Sequence, residues 1–216
     1  MSGKQYISWQ IAKYATDKKL IEFTDKLKLP PVEFYAHVQA NGDKTADGNA
    51  IYSNIGMKLL DYSNGTGDKT VSVEVNVSSD ELMFVFEKLR QGVEEFSTSQ
   101  EKIFGKPDEK GRCKVTKLLI IRATKDKAGK ERKYPWFIQV ENGTGVKVKN
   151  DKTGGTYIRA NSFVADAKVY INLNDIDMFK LLSRVSSYVS VWEVTYAPRQ
   201  LRAAKEIMQN AKEVVQ

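Results

Sequence analysis

The 216-residue chain has one histidine (His37) and one cysteine (Cys113). That scarcity excludes a disulfide framework, a Cys/His zinc site, and any Ser–His–Asp or Cys–His triad that does not use His37. No apolar run approaches the ~18 residues that a membrane span needs, and the first residues form no signal-peptide core. A single cysteine fits a reducing compartment, so a cytoplasmic protein is expected. Gly-rich phosphate loops are missing as well. Gly143-Thr144-Gly145 and Gly154-Gly155 lack a strand–loop–helix context and a following Gly-Lys-Ser/Thr.

What is present is charge of one sign and alternating strands. Thirty-four Lys+Arg against 27 Asp+Glu give a net charge of +7, with 41% hydrophobic residues. That composition belongs to a folded chain with a sizeable core. Thr16-Asp17 caps an expected helix carrying Leu20, Phe23 and Leu27, which Pro30-Pro31 stops. Strand patterns follow at Phe34 to Ala40 and Ile51 to Leu59. Val71, Val73, Val75 and Val77 then alternate without exception with polar residues, as in a strand buried on one face. Ser78 to Glu81 cap a helix through Leu82, Val85, Phe86 and Leu89 that Gly92 ends. The polar stretch 97–111 reads as a linker. Strands resume at Val115 to Ala123, Trp136 to Val140, Val146 to Val148, Tyr157 to Ala160 and Val169 to Leu173, with a charged hairpin tip around Gly129 and a turn at Asn142-Gly143. A long helix begins at Asn174-Asp175, and Pro198 starts a final one.

The two halves resemble each other. Val73-Glu74-Val75-Asn76-Val77 aligns with Val169-Tyr170-Ile171-Asn172-Leu173 at an offset of 96, and each strand passes through a polar cap into a helix. Upstream, Gln39-Ala40-Asn41-Gly42 sits beside Val140-Glu141-Asn142-Gly143. The expected fold is α+β: two tandem antiparallel sheet–helix units packed as one body. The divisions are an N-terminal extension (1–31, partly helical), a first unit (32–96), a linker (97–111), a second unit (112–197) and a C-terminal helix (198–216). Trp192, Tyr196, Ile207 and Met208 exceed what an exposed helix needs, which predicts a homo-oligomer.

Between Lys106 and Lys133 lie eleven basic and four acidic residues, a surplus of seven that equals that of the whole chain. Concentrated positive charge points to a polyanion, since each neutralised phosphate releases counterions. A Lys-rich hairpin that keeps a sheet soluble is the bland competitor. Aromatics interleaved with the cations favour single-stranded nucleic acid, whose bases stack on rings while Lys and Arg follow the backbone. The residues assigned to this role are Tyr35, Tyr52, Lys58, Arg112, Lys114, Lys117, Arg122, Trp136, Phe137, Lys147, Lys149, Tyr157, Arg159, Lys168 and Tyr170. Single-stranded DNA is the expected partner, with RNA the second polymer this chemistry admits.

Two sheet–helix copies, a basic sheet face and a helical C-terminal extension resemble the whirly-type single-stranded DNA-binding proteins, over Val32 to about Gln209. Similar proteins are encoded by bacteriophages for replication or recombination, which would place this chain in a bacterial host cytoplasm. The resemblance implies sequence-tolerant binding with no catalytic step, cofactor or metal. The Lys-Gly-Lys-Ala-Ala-Leu segment of the plant members does not occur. An Asp/Glu-rich, Phe-terminated tail of the kind that recruits partners is not found at Lys212 to Gln216. Two competitors stand beside this reading. The same face could grip a protein, as a phage-type inhibitor of a host factor does. Pro107-Asp108 with Glu131-Arg132-Lys133 fits the loose acidic pattern of metal-dependent nucleases, provided that both elements reach one metal.

Overall fold

The computed structural model describes residues 9–32 and 37–213, with the side chains of 212 and 213 left aside. In chain order the elements are β1 (Gln10–Ala15), β2 (Lys19–Lys26), β3 (Asn41–Lys44), β4 (Ala50–Tyr52), β5 (Asn54–Asp61), β6 (Val71–Val77), α1 (Ser79–Arg90), β7 (Glu95–Phe104), β8 (Arg112–Ala123), β9 (Trp136–Lys149), β10 (Thr156–Ile158), β11 (Val164–Leu173) and α2 (Asp175–Glu213). The fold is α+β. One antiparallel sheet runs β1-β2-β5-β6, and the second runs β7-β8-β9, with β11 and β10 sharing the far side of β9. Each four-stranded meander feeds directly into a helix. That is the twice-used sheet–helix arrangement expected from the sequence.

Register makes the repeated arrangement explicit. Lys19 pairs with Asp61 and Asp61 with Val71 in the first sheet; Thr116 pairs with Asn142 and Asn142 with Ala167 in the second. The offsets are therefore 97 for β2/β8, 81 for β5/β9 and 96 for β6/β11. The helix caps repeat too. Ser78 Oγ accepts from the Glu81 amide (3.2 Å) and Asn174 Oδ1 from the Asp177 amide (2.8 Å), each satisfying an orphan N–H of the first turn. The offset of 96 holds from the final strands into the helices. The upstream match of Gln39–Gly42 to Val140–Gly143 does not hold, because the counterpart of Asn142 is Asp61.

One apolar cluster takes Phe23, Ile55 and Met57 from the first sheet and Ile120, Trp136 and Ile138 from the second. Leu82 and Val85 of α1 and Leu181, Leu182 and Val185 of α2 join it. The inner faces of both sheets are thus used up by the helices and by each other, and what remains for function is the outer faces and the seams.

Several expectations fail. The helix over Thr16 to Leu27 is the β1–β2 hairpin: Ile21 and Phe23 are the fully buried positions, at a spacing of two, and Thr16 shapes the turn to Lys19. The linker over 97–111 is largely β7, a polar edge strand paired with β8 from Glu95 to Phe104. Asn142-Gly143 lies mid-strand in β9, and the strand expected at Phe34 to Ala40 falls partly outside the described residues, with 37–40 irregular. Pro198 sits inside a continuous 39-residue α2 instead of starting a new helix.

Candidate nucleic-acid interface

Along β9 the even residues Trp136, Ile138 and Val140 are buried in the core, so the odd residues from Phe137 to Lys149 share the outer face. Beside them on the same face stand Leu119 and Ile121 of β8, Ser97 and Ser99 of β7, and Lys168, Tyr170 and Asn172 of β11, as the register dictates. Phe137 and Tyr170 stack, with centroids 5.5 Å apart and planes at 25°. Lys117 pairs with Glu101 at 2.9 Å and lies 4.3 Å from the Phe163 ring; Lys168 pairs with Glu141 at 2.8 Å. Further along, Phe163 and Ile158 fold over Gly143 and Gly145, where any Cβ would collide with them. Beyond that cover the outer face of β9 ends in Lys147 and Lys149, while Tyr157 (49% exposed), opposite Val148, projects from the other face.

The first sheet supplies an internal control. The counterparts of Phe137, Tyr170, Leu119 and Ile121 are Gly56, Glu74, Glu22 and Thr24. Its outer face is closed by ion pairs and hydrogen bonds: Lys26 to Glu74, Lys58 to Glu22 at 3.9 Å, and Gln10 to Glu22 at 2.6 Å. Rings on an outer face are therefore a property of the second sheet and are not imposed by the fold.

The structure separates the sequence-assigned residues. Phe137, Tyr170, Lys117 and Lys168 meet on the outer face of the second sheet. Lys147 and Lys149 continue that outer face at its far end, whereas Lys114, Tyr157 and Arg159, opposite Thr144, Val148 and Val146, project from the other face there; these four cations form no ion pair among the described residues. Lys58 lies on the closed face of the first sheet and Tyr52 on the separate β3–β4 hairpin. Tyr35 lies outside the described residues. Three assignments need correction. Trp136 is fully buried, and its Nε1–H donates to Asp175 Oδ1 at 2.7 Å, so it cannot stack on a base. Arg122 is 5% exposed, donating to Asp175 Oδ2 at 2.9 Å and to the Val93 carbonyl; it locks the start of α2 to β8. Arg112 spends its guanidinium on Thr144 and on the Ser162 carbonyl at 2.7 Å.

The basic stretch also splits. Lys106 and Lys110 precede β8, whereas Lys125 to Lys133 follow it, and a 12-residue strand spans about 40 Å. One patch in sequence is two in space. The same separation keeps Asp108 from Glu131, and Asp108 instead accepts from the Lys110 and Arg112 amides (2.9 and 2.8 Å). Among the described residues no group of three His, Cys, Asp or Glu side chains could hold a metal ion, and His37 pairs with Asp43 at 2.8 Å.

No family model matches this chain, and no curated protein does. A solved structure of the plant transcriptional regulator PBF-2 is similar at 11% identity, with 94% of this chain and 89% of that chain covered and a TM-score of 0.42. At that identity no residue-by-residue correspondence carries over. Sequence reasoning missed Tyr14 and Lys19, because their segment matched a helical spacing. Lys19 Nζ donates to the Tyr170 carbonyl (2.8 Å) and lies 3.4 Å from that ring's centroid. Tyr134, which borders the basic stretch, lines the same cleft as both.

Proposed function

We propose that the chain binds single-stranded DNA without catalysis, along the outer face of its second sheet and with little regard to sequence. The observation that carries this is the odd-numbered line of β9. It begins at the stacked Phe137–Tyr170 pair and ends at Lys147 and Lys149, while the equivalent line of β5 begins at Gly56 on a face closed by ion pairs. Rings offer a surface for bases, and unpaired cations at the far end offer a surface for phosphates. Duplex bases are already stacked on one another, so preference for the single strand follows. RNA has the same stacking faces and phosphates and is the natural comparison. Self-association through α2 belongs to the same proposal, since Val191, Val194, Leu201 and Met208 are exposed along it. Trp192 and Tyr196, assigned to that role from sequence, instead lie half-buried against each other, 4.8 Å apart.

The test is a titration of labelled oligonucleotides, single-stranded against duplex, at two salt concentrations. The single strand should bind more tightly, and its affinity should fall with a log–log slope of about −1.4, from ~0.7 per phosphate and the two unpaired cations of this face, Lys147 and Lys149. Equal, weak affinity for both forms would leave only a generic basic surface. No binding at low salt would sink the proposal and favour a protein partner for this face.

A further inference from the structure

The pseudo-symmetry relates two clefts at the seams between the sheets. One, of about 280 Å³, lies between the β1–β2 turn and the edge of β11; the other, of about 300 Å³, lies between β7 and the edge of β6. Position by position they correspond: Thr16 to Lys102, Lys19 to Thr116, Tyr170 to Glu74, Asn172 to Asn76. Their contents have diverged. The β6 cleft is occupied by its own side chains, since Lys26 reaches Glu74 and the Asn76 amide oxygen, and Lys102 donates to the Asn76 carbonyl at 2.8 Å. The β11 cleft holds three tyrosines, Tyr14, Tyr134 and Tyr170, with Lys19 beside them. Its Asn172 amide has no hydrogen-bond partner among the described residues.

We infer that the tyrosine-lined cleft captures one unstacked nucleobase of the bound strand, so that each chain holds a single anchored base beside the sequence-tolerant face. The chemistry fits that ligand class. Tyr134, 43% exposed, presents a ring with no aromatic partner among the described residues and with Lys133 Nζ 5.4 Å from its centroid, and Asn172 offers both a donor and an acceptor to a base edge. Lys19, already fixed by Asp61 at 3.4 Å and by the Tyr170 carbonyl, sets a positive charge beside the cleft. A volume just under the usual range for small-molecule pockets suits one planar group and no more.

This inference rests on single-strand binding by the neighbouring face, so the experiment separates the two. The full-length protein is saturated with an oligonucleotide carrying 5-iodouracil at each position in turn, irradiated, and mapped by mass spectrometry. Adducts on Tyr14 or Tyr134 are expected, and Tyr134→Ala should weaken the strand about tenfold, the worth of one stacked base. Phe104→Ala in the mate cleft should leave affinity unchanged. Tight binding with adducts on neither Tyr14 nor Tyr134 would overturn the cleft while sparing the sheet face. Absence of binding in the companion titration overturns both.

Discussion

Asn142 closes a sheet edge with one side chain. Its Oδ1 accepts from the Glu74 amide at 2.8 Å, while its Nδ2 donates to the Glu74 carbonyl at 2.8 Å and to Thr116 Oγ1 at 3.1 Å. Both backbone groups of an edge residue are thereby satisfied by the other sheet, where an open edge would invite pairing with another chain. Asn142→Ala should cost about 0.5–1.5 kcal/mol in denaturant titration, the net worth of an ordinary hydrogen bond, since the Glu74 groups it serves are exposed and water can replace it. Asn142→Asp should cost at least as much, because a carboxylate keeps the acceptor and loses the donor that faces the Glu74 carbonyl. Gly143→Ala should be worse than either, since its Cβ would stand 2.1 Å from the Val164 carbonyl oxygen, which is backbone. An Asn-Gly pair carries the local signature of a hairpin turn. Its use here depends on a strand 68 residues away and on a bulge in β11 between Ala165 and Ala167, neither visible in a local window. For the same reason Arg122 and Trp136 each read as a binding residue when in fact they anchor α2 to the sheet.

At the level of elements, the legible segments were those whose pattern had one interpretation. Val71–Val77 alternates cleanly, and Ser78 to Glu81 form a complete capping box. The β1–β2 hairpin was illegible because Leu20, Phe23 and Leu27 also fit a helical stripe, and β7 because an edge strand has little apolar face to show. The sequence pattern divides α2 at Pro198, which lacks the N–H to continue the bonding pattern, but contacts on either side carry the helix through it, including Gln200 Nε2 to the Pro30 carbonyl at 3.1 Å. Pro198→Ala should therefore raise the melting temperature and the helical circular dichroism signal, with a gain of up to about 3 kcal/mol. The seat of α2 on the first sheet has its own signature. Tyr188 donates to Asp25 Oδ2 at 2.8 Å, and burial first, then that carboxylate, pushes its pKa up to about 12. The unfolded chain releases this proton near pH 10, so the native state binds more protons between about 10 and 12. The stabilisation is intact below pH 10 and is lost as pH rises through the folded value. Tyr188→Phe should lose stability less steeply than the parent across that window, in denaturant titrations at fixed salt.

For the whole molecule, the net charge of +7 acquires a meaning only through its placement. The surplus of the basic stretch is divided between the two ends of β8, and its two buried or pinned arginines, Arg122 and Arg112, do structural work. A bound strand therefore meets the Phe137–Tyr170 rings beside the Lys125–Lys133 hairpin at one end of the second sheet and Lys147 and Lys149 at the other, about 40 Å apart along a 12-residue strand. That separation predicts a length dependence. Oligonucleotides too short to span the sheet can use only one end. Affinity should climb until the strand covers the distance, about 12 nucleotides at the 3.4 Å spacing of stacked bases and fewer if the bases are splayed. Beyond that length it should rise only with the number of registers available. Lys147→Glu with Lys149→Glu should flatten the salt dependence for long strands, because the charges lost lie at one end. Tyr170→Ala should lower affinity by about 1–3 kcal/mol with the salt slope unchanged, because stacking releases no counterions. A length series whose affinity is already at its plateau for strands of three or four nucleotides would contradict a two-ended track and leave a single local site.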